Sequence, residues 1–177
     1  MRNRYLVPIL AAVAGLGLPI ADAGAVVSGR VLRENAAGGV SAGKFRAAQG
    51  ANGGAFARGR AVATDGAGNG GVASGGAYRG ANGASGGRAG STTWNADGSA
   101  SHQSGFAASG ERGNIQSSGS ASRSADGAVN QSRTTTATSS ATGNTMTSTG
   151  SYSKETGYSR STSCTDAAGN AIACPSR

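Results

Sequence analysis

Small polar and apolar residues alternate along much of this chain, in short runs separated by turn-forming residues. From Ser117 to Ser124, serine occupies nearly every second position, and Gly119, Ala121 and Arg123 lie between the serines. A period of two places alternate side chains on opposite faces of a β-strand. After residue 23, no stretch shows the apolar stripe of an amphipathic helix. The pattern therefore predicts an all-β chain with almost no helix.

The runs are separated by Gly beside Asn, Asp or Glu-Thr, and these turn signals form two interleaved series. Each series has a spacing of about 30 residues, which predicts a repeating unit of strand, turn, return strand and second turn. Gly adopts positive φ freely, and Asn and Asp tolerate it, so we predict type I′ turns with both central residues at positive φ. The series are Asn52, Asn82, Asn114, Asn144 and Asn170, and Asp65, Asp97, Asp126 and Glu155.

These units predict an extended antiparallel meander, or a solenoid-like stack, of short hairpin repeats. Region 24–90 is Gly-rich, and Gly weakens strands, so we expect a low-complexity, partly disordered half with weak strands. Within it, Val26 to Glu34 is a candidate for one short opening strand. Region 91–177 is rich in Ser and Thr, and we expect ordered β-repeats that end in a disulfide hairpin.

The composition excludes a conventional hydrophobic core. The chain has 32 Gly among 177 residues, and only 5% of its residues are aromatic. So few large apolar side chains cannot offset the conformational entropy lost on folding. Backbone hydrogen bonding between small-residue strands has to supply much of the stability, and a largely disordered chain is the alternative.

The first 23 residues have the three parts of a secretory signal peptide. Two arginines precede an apolar segment from Tyr5 to Ile20, and Ala21-Asp22-Ala23 is a small-x-small cleavage site. The apolar segment is broken by Pro and Gly and is shorter than the roughly 18 residues of a transmembrane helix. We therefore expect export to the periplasm, cell surface or extracellular space, with no membrane span once the signal is removed.

The charge is basic but dilute. Without residues 1–23 the chain keeps 14 basic and 7 acidic residues, a net charge of +7. The cations are spread singly along the sequence, unlike the clustered Lys and Arg of a nucleic-acid footprint, so we expect no nucleic-acid partner. A solvated surface of scattered charges is the default expectation. Self-association and an anionic surface polysaccharide are the candidate partners.

Catalytic signatures in the sequence lack the context that their chemistry requires. Gly66, Gly68 and Gly71 match a dinucleotide-binding pattern, but no buried parallel strand and following helix surround them. Ser85 lies in a G-x-S-x-G match, and His102, the single histidine, lies in a separate polar strand. One His and two Cys cannot close a zinc site. We therefore predict a non-enzymatic protein with no catalytic residues, cofactor or metal.

The two cysteines, Cys164 and Cys174, are predicted to form a disulfide, because export would place them in an oxidising compartment. They flank a bend over residues 166–170. A five-residue bend would set Thr165 opposite Ala171 and leave the cysteines one step out of direct opposition. Free or intermolecular thiols are the alternative.

Thr134, Thr136 and Thr138 are the candidate binding face. Alternate residues on a strand are about 6.6 Å apart, so these threonines, with Thr147 and Thr149, would offer a regular hydroxyl array to a glycan or to ice. Solvated strands produce the same pattern, and threonines without a ligand are the simpler alternative.

With these turn signals and the run over residues 118–138, the chain resembles the small exported, Gly/Ser/Thr-rich repeat proteins of Gram-negative bacteria. The resemblance covers residues 50–174. Asn130-Gln131 after Asp126-Gly127 is also similar to curlin-type repeats, which stack into fibres, although curlin units are shorter and keep regular Gln and Asn positions.

The repeat and the missing catalytic set predict a non-enzymatic, exported structural or adhesive repeat protein of the cell surface or extracellular matrix. A Thr/Ser-face binding module for a glycan or another periodic surface is one alternative. A disordered exported polypeptide is the other.

Overall fold

The protein forms one open antiparallel β-sheet in a computed structural model, which describes residue 24 and residues 26–175. The predicted signal peptide, residues 1–23, lies outside the described residues. Within them there is no helix, as the alternating pattern predicts. The strands are β1 Val26–Glu34, β2 Val40–Gln49, β3 Ala55–Thr64, β4 Gly70–Arg79, β5 Ser85–Trp94, β6 Ala100–Gly110, β7 Gly113–Arg123, β8 Val129–Ser139, β9 Thr145–Ser153, β10 Gly157–Thr165 and β11 Ala171–Ile172.

Every strand pairs with its neighbours in sequence, so the sheet is a meander from β1 to β11. The predicted meander is therefore confirmed, and the solenoid-like stack does not form. Each ladder advances without an inserted residue, as from Gly70 opposite Trp94 to Arg79 opposite Ser85. Because the register is unbroken, each side chain lies in one row with its partners on the other strands.

The loops recur at a constant interval over the first half of the sheet. Asn35, Gly50, Asp65, Gly80 and Asn95 begin successive loops and are 15 residues apart. Successive loops lie at opposite ends of the strands. The two series of turn signals therefore lie at opposite ends of the strands, with the Asn series at one end and the Asp series at the other.

The loop geometry differs from the predicted type I′ turn. In the loop after β5, the Gly98 N–H donates to the Asn95 carbonyl at 3.0 Å, and the Asn95 N–H donates to the Ser99 carbonyl at 2.9 Å. Gly98 has φ +83°, whereas no described non-Gly residue has positive φ. These are the features of a three-residue hairpin loop, a type I turn followed by a left-handed Gly. In this loop Asp97 Oδ1 accepts from the Ser99 N–H and the Asn95 side-chain amide donates to Ser99 Oγ, and neither residue adopts positive φ.

Asn114 is not a turn residue, contrary to the sequence prediction. It lies in β7 opposite Ser109, and the turn falls one step earlier, between the paired residues Gly110 and Gly113. Two glycines that flank Glu111 and Arg112 close a two-residue loop, which leaves Asn114 inside the ladder.

The Gly-rich region 24–90 forms long strands where the sequence predicts weak ones and partial disorder, since β2 to β5 each contain ten residues. Aromatic rings cover some of its glycines. A Cβ on Gly86 would lie 2.7 Å from the ring of Tyr78, and the ring of Phe45 covers Gly29 in the same way. These rings supply cross-strand packing that Gly itself lacks.

The sheet has no second layer and no enclosed core within the described residues. The buried non-Gly residues are Cys164 and Ser117, which are 6% and 5% exposed, whereas Leu32 and Tyr158 are 75% and 68% exposed. Both faces of the sheet are therefore open. Among the same residues, no helix is long and apolar enough to cross a membrane.

Candidate binding faces

The register divides the strand side chains between two chemically different faces. One face, here called the small-residue face, carries Ala and Gly in the first half of the sheet and Ser and Thr in the second. The other, here called the charged face, carries most of the cations and large aromatic side chains. Among the described strand residues, Arg33 and Arg79 are the charged side chains on the small-residue face; Arg79 is the last residue of β4 and Arg33 the last but one of β1.

The small-residue face contains an open groove of about 1080 Å³. The groove crosses the strands from Ala47 and Ala57 to Ser132 and Thr134. Right-handed twist makes a sheet concave along one diagonal, which accounts for a groove that runs across several strands.

The predicted binding residues Thr134, Thr136 and Thr138 do lie on one face, the small-residue face. Each pairs with a threonine of β9, so that three threonines along β8 lie beside three threonines along β9. Hydroxyl oxygens lie 2.9 to 3.3 Å apart in the three pairs. Neighbouring strands are about 4.8 Å apart and alternate residues about 6.6 Å apart, which sets the spacing of the array. The pairs are Thr134 with Thr149, Thr136 with Thr147, and Thr138 with Thr145.

The charged face gathers cations that are scattered in sequence. Eight of the described cations occupy two adjacent rows that cross the strands, and we call this set the cationic band. One row contains five of them, on β1, β2, β3, β8 and β10, and the other contains three, on β2, β3 and β5. All eight side chains are exposed. The band consists of Arg30, Lys44, Arg60, Arg133 and Arg160, and of Arg46, Arg58 and Arg88.

Like charges are direct neighbours in the band. Lys44 lies opposite Arg30 on one side and opposite Arg60 on the other, and Arg46 lies opposite Arg58. Like charges directly opposite each other destabilise a sheet. The cations of this face are therefore solvated, as expected, but they are gathered into rows and not scattered. The signal in the sequence was the i, i+2 spacing in Lys44-Phe45-Arg46 and Arg58-Gly59-Arg60, which puts both cations of a strand on one face.

The four aspartates of the described residues lie in the loops, where each accepts hydrogen bonds from its own loop. Asp65 Oδ1 accepts hydrogen bonds from the N–H groups of Ala67 at 2.8 Å and Asn69 at 3.0 Å, and the Asn69 amide donates to Oδ2 at 2.6 Å. The Asn69 side-chain amide, with the Ala67 N–H, holds the pKa of Asp65 below its ordinary value. In the same way the Asn170 side chain lowers the pKa of Asp166. These carboxylates fix loops and do not neutralise the band.

The predicted disulfide between Cys164 and Cys174 is present, with a Cα–Cα distance of 5.3 Å. Thr165 lies opposite Ala171, as predicted, but Cys164 lies opposite Ile172. The offset is thus two residues and not one. The disulfide can form despite this offset because the ladder ends at Ile172 and the following residues leave the strand.

The catalytic signatures are not assembled. Ser85 lies on the small-residue face and His102 on the charged face, so the sheet separates the nucleophile from its base. His102 Nδ1 is 2.8 Å from Thr92 Oγ1. Gly66 and Gly68 belong to the loop before β4, and Gly71 lies in β4 itself, where no helix follows. Among the described residues, no three His, Cys, Asp or Glu side chains come together.

The fold and its surfaces thus define a class: a single-layer antiparallel sheet with one cationic face and one uncharged, small-residue face. No family model, no curated protein and no solved structure matches this chain.

Proposed function

We propose that this protein is an exported, non-enzymatic structural or adhesive protein of the cell surface or extracellular matrix, acting as a thin β-sheet layer. The observation that carries the proposal is the single sheet of eleven strands with both faces open. Domains normally bury one face of a sheet against a second layer. A lone layer leaves that surface available to other molecules. The disulfide fits an oxidising, extracytoplasmic compartment.

A second copy of the chain is the partner that suits the small-residue face. The middle of this face is uncharged, so two copies in contact would not bury unpaired charges. Side chains such as Ala61, Ala73 and Ala77 let another sheet approach closely. Ten strands of about ten residues present on the order of 1,400 Å², against about 800 Å² that each partner buries in a standard interface. The face is therefore large enough for stable self-association.

Sedimentation analysis over a range of concentrations tests this function. We expect the wild-type protein to associate and A73E to remain monomeric, because a carboxylate would then have to be buried in the contact. The matched control is A121E, since Ala121 is also a partly buried strand residue but lies on the charged face. A wild-type protein that stays monomeric at every concentration and does not adhere to surfaces would contradict the proposal. Thioflavin binding with a 4.7 Å fibre reflection would identify a fibrous form.

A binding module for a glycan or another periodic surface is the second candidate function. It is favoured by the two rows of threonine hydroxyls on β8 and β9. Hydroxyl oxygens paired across the strands keep further donor and acceptor capacity toward a ligand.

A further inference from the structure

We propose that the cationic band is a binding site for a linear acidic polysaccharide, which lies across the strands and not along them. This inference deepens the proposed function, on which it rests, by naming the adhesive surface and the chemistry of its ligand.

The first support is the direction of the band. Arg30, Lys44 and Arg60 are directly opposite one another on three successive strands, and Arg133 and Arg160 extend the same row to β8 and β10. Neighbouring strands are about 4.8 Å apart, so the row from β1 to β10 spans roughly 43 Å. An extended polymer with acidic groups along its length would meet three cations on β1 to β3, and two more roughly 24 and 34 Å beyond β3.

The second support is that cations of the band lie opposite one another and that, in the described ladders, no carboxylate lies opposite any of them. Arg46 and Arg58 are direct neighbours, and so are Lys44 and Arg60. Asp65 and Asp166, which are bound within their own loops, do not reach this row. A polyanion would supply the missing negative charge, and it would turn a repulsive arrangement into a set of charge-assisted hydrogen bonds.

The third support is the chemistry between the cations of the longer row, which offers hydroxyl groups to a sugar. In the row of five cations, the positions on β4, β5, β6, β7 and β9 are occupied by Ser74, Gly90, Ser104, Gly119 and Gly150. They form a shallow, hydroxyl-bearing floor without aromatic rings, whereas the shorter row includes exposed Phe106, directly opposite Arg88. Aromatic side chains are stacking platforms for single-stranded nucleic acids, so a comparison with polythymidine separates the two ligands.

One guanidinium is already held against this floor. Arg133 donates through Nη1 to Ser117 Oγ and through Nη2 to Ser104 Oγ, both at 3.0 Å. The side chain thus crosses two strands parallel to the row, with donors left for a carboxylate. Arg160 donates through Nε to Ser148 Oγ at 3.0 Å, which leaves both of its terminal nitrogens for a ligand.

The test is calorimetric titration of the purified protein with polygalacturonate and with its fully methyl-esterified form. We expect binding to the acid form, weakening with added salt, and none to the ester, which keeps the sugar chain but lacks the charge. The triple variant R46Q/R58Q/R60Q should bind at least roughly tenfold more weakly, since each removed cation loses a charge-assisted contact. The matched control R33Q/R79Q/R112Q removes the same charge outside the band and should stay within about twofold.

The stability of the triple variant separates binding from a structural role. Without ligand, R46Q/R58Q/R60Q should have an unchanged or higher Tm, because it relieves like-charge neighbours. If this variant does not fold, the single variants R58Q and R79Q decide between the alternatives. A roughly threefold loss is expected for R58Q alone.

Four results would overturn the proposal: no binding to polygalacturonate, equal binding of the ester, equal losses in the two triple variants, or tighter binding of polythymidine or anionic vesicles at equal charge concentration. The self-association test remains independent, since Ala73 lies on the opposite face. Association without polysaccharide binding would therefore sink this inference and leave the proposed function standing.

Discussion

Trp94 lies directly opposite Gly70 in the ladder, and its indole ring occupies the space that a side chain on Gly70 would need. A Cβ on Gly70 would also lie 2.9 Å from the carbonyl oxygen of Ala63 on the other neighbouring strand. In a sheet without a second layer, such cross-strand contacts replace the packing that a core normally provides.

Gly70→Ala should therefore displace Trp94 and lower the free energy of unfolding by about 1 to 3 kcal/mol, the usual cost of overpacking. The displaced indole should become more solvated, so the fluorescence maximum of this single tryptophan should move to longer wavelength. Gly110→Ala is the control, because a Cβ there would lie 3.6 Å from Ala84, an ordinary contact. If the two variants have the same Tm and emission maximum, the contact does not stabilise the sheet.

Loss of the disulfide should destabilise the C-terminal hairpin. A loop closed over a sequence separation of 10 stabilises by roughly 2.5 to 3 kcal/mol in the chain-entropy model. Paired Cys164→Ser and Cys174→Ser replacements should lower the Tm and increase hydrogen exchange first in β10 and β11. Mass spectrometry after alkylation checks the wild-type bond. Two alkyl groups on unreduced protein would show that the cysteines are free in solution.

Acid should loosen the loops that contain aspartate. The pKa of Asp65 is lowered in the folded protein, first by the Asn69 amide, so the unfolded chain takes up protons more readily. The stabilisation is complete above the unfolded pKa, near 3.9, and is lost as the pH falls through the lower folded value. We expect the Tm to fall below about pH 4.

Asp65→Asn is the informative variant for this pH dependence. Asn35 holds the equivalent position in the preceding loop on the same side of the sheet, where its Oδ1 accepts from the N–H groups of Ala37 and Gly39, both at 3.1 Å. The Asn variant should keep the loop while losing part of the acid sensitivity. A pH profile of the Tm identical to wild type would assign the effect to other groups.

A separate prediction concerns the threonines of β8. If the small-residue face binds a glycan or ice, Thr136→Lys with Thr138→Lys should abolish the interaction by placing two long charged side chains in the array. The control is Thr135→Lys with Ala137→Lys, on the same strand but on the charged face. Unchanged glycan retention and ice-crystal shape in the first variant would eliminate this function.

Local features of this chain were readable from the sequence because they depend on near neighbours. The alternation around Thr134 and Thr136 predicts strand, and β1 begins and ends at the predicted residues, Val26 and Glu34. The pairing of Thr165 with Ala171 follows from a bend of five residues. Turn type was less readable, because Asn and Asp suit several loops. Asp65 could have adopted positive φ or accepted hydrogen bonds through its side chain. The geometry of the whole loop decides between them, and the side chain accepts.

What the sequence by itself determined is thus the class of fold, the strands of the Ser and Thr runs and the sites of reversal other than Asn114. The tertiary structure decided which distant residues share a row. Arg30 and Arg160 are 130 positions apart in sequence, yet they belong to one row because nine ladders between them keep an unbroken register. A shift of one residue in any ladder would move all later side chains to the opposite face. The cationic band therefore depends on the summed register of the sheet, which no local pattern contains.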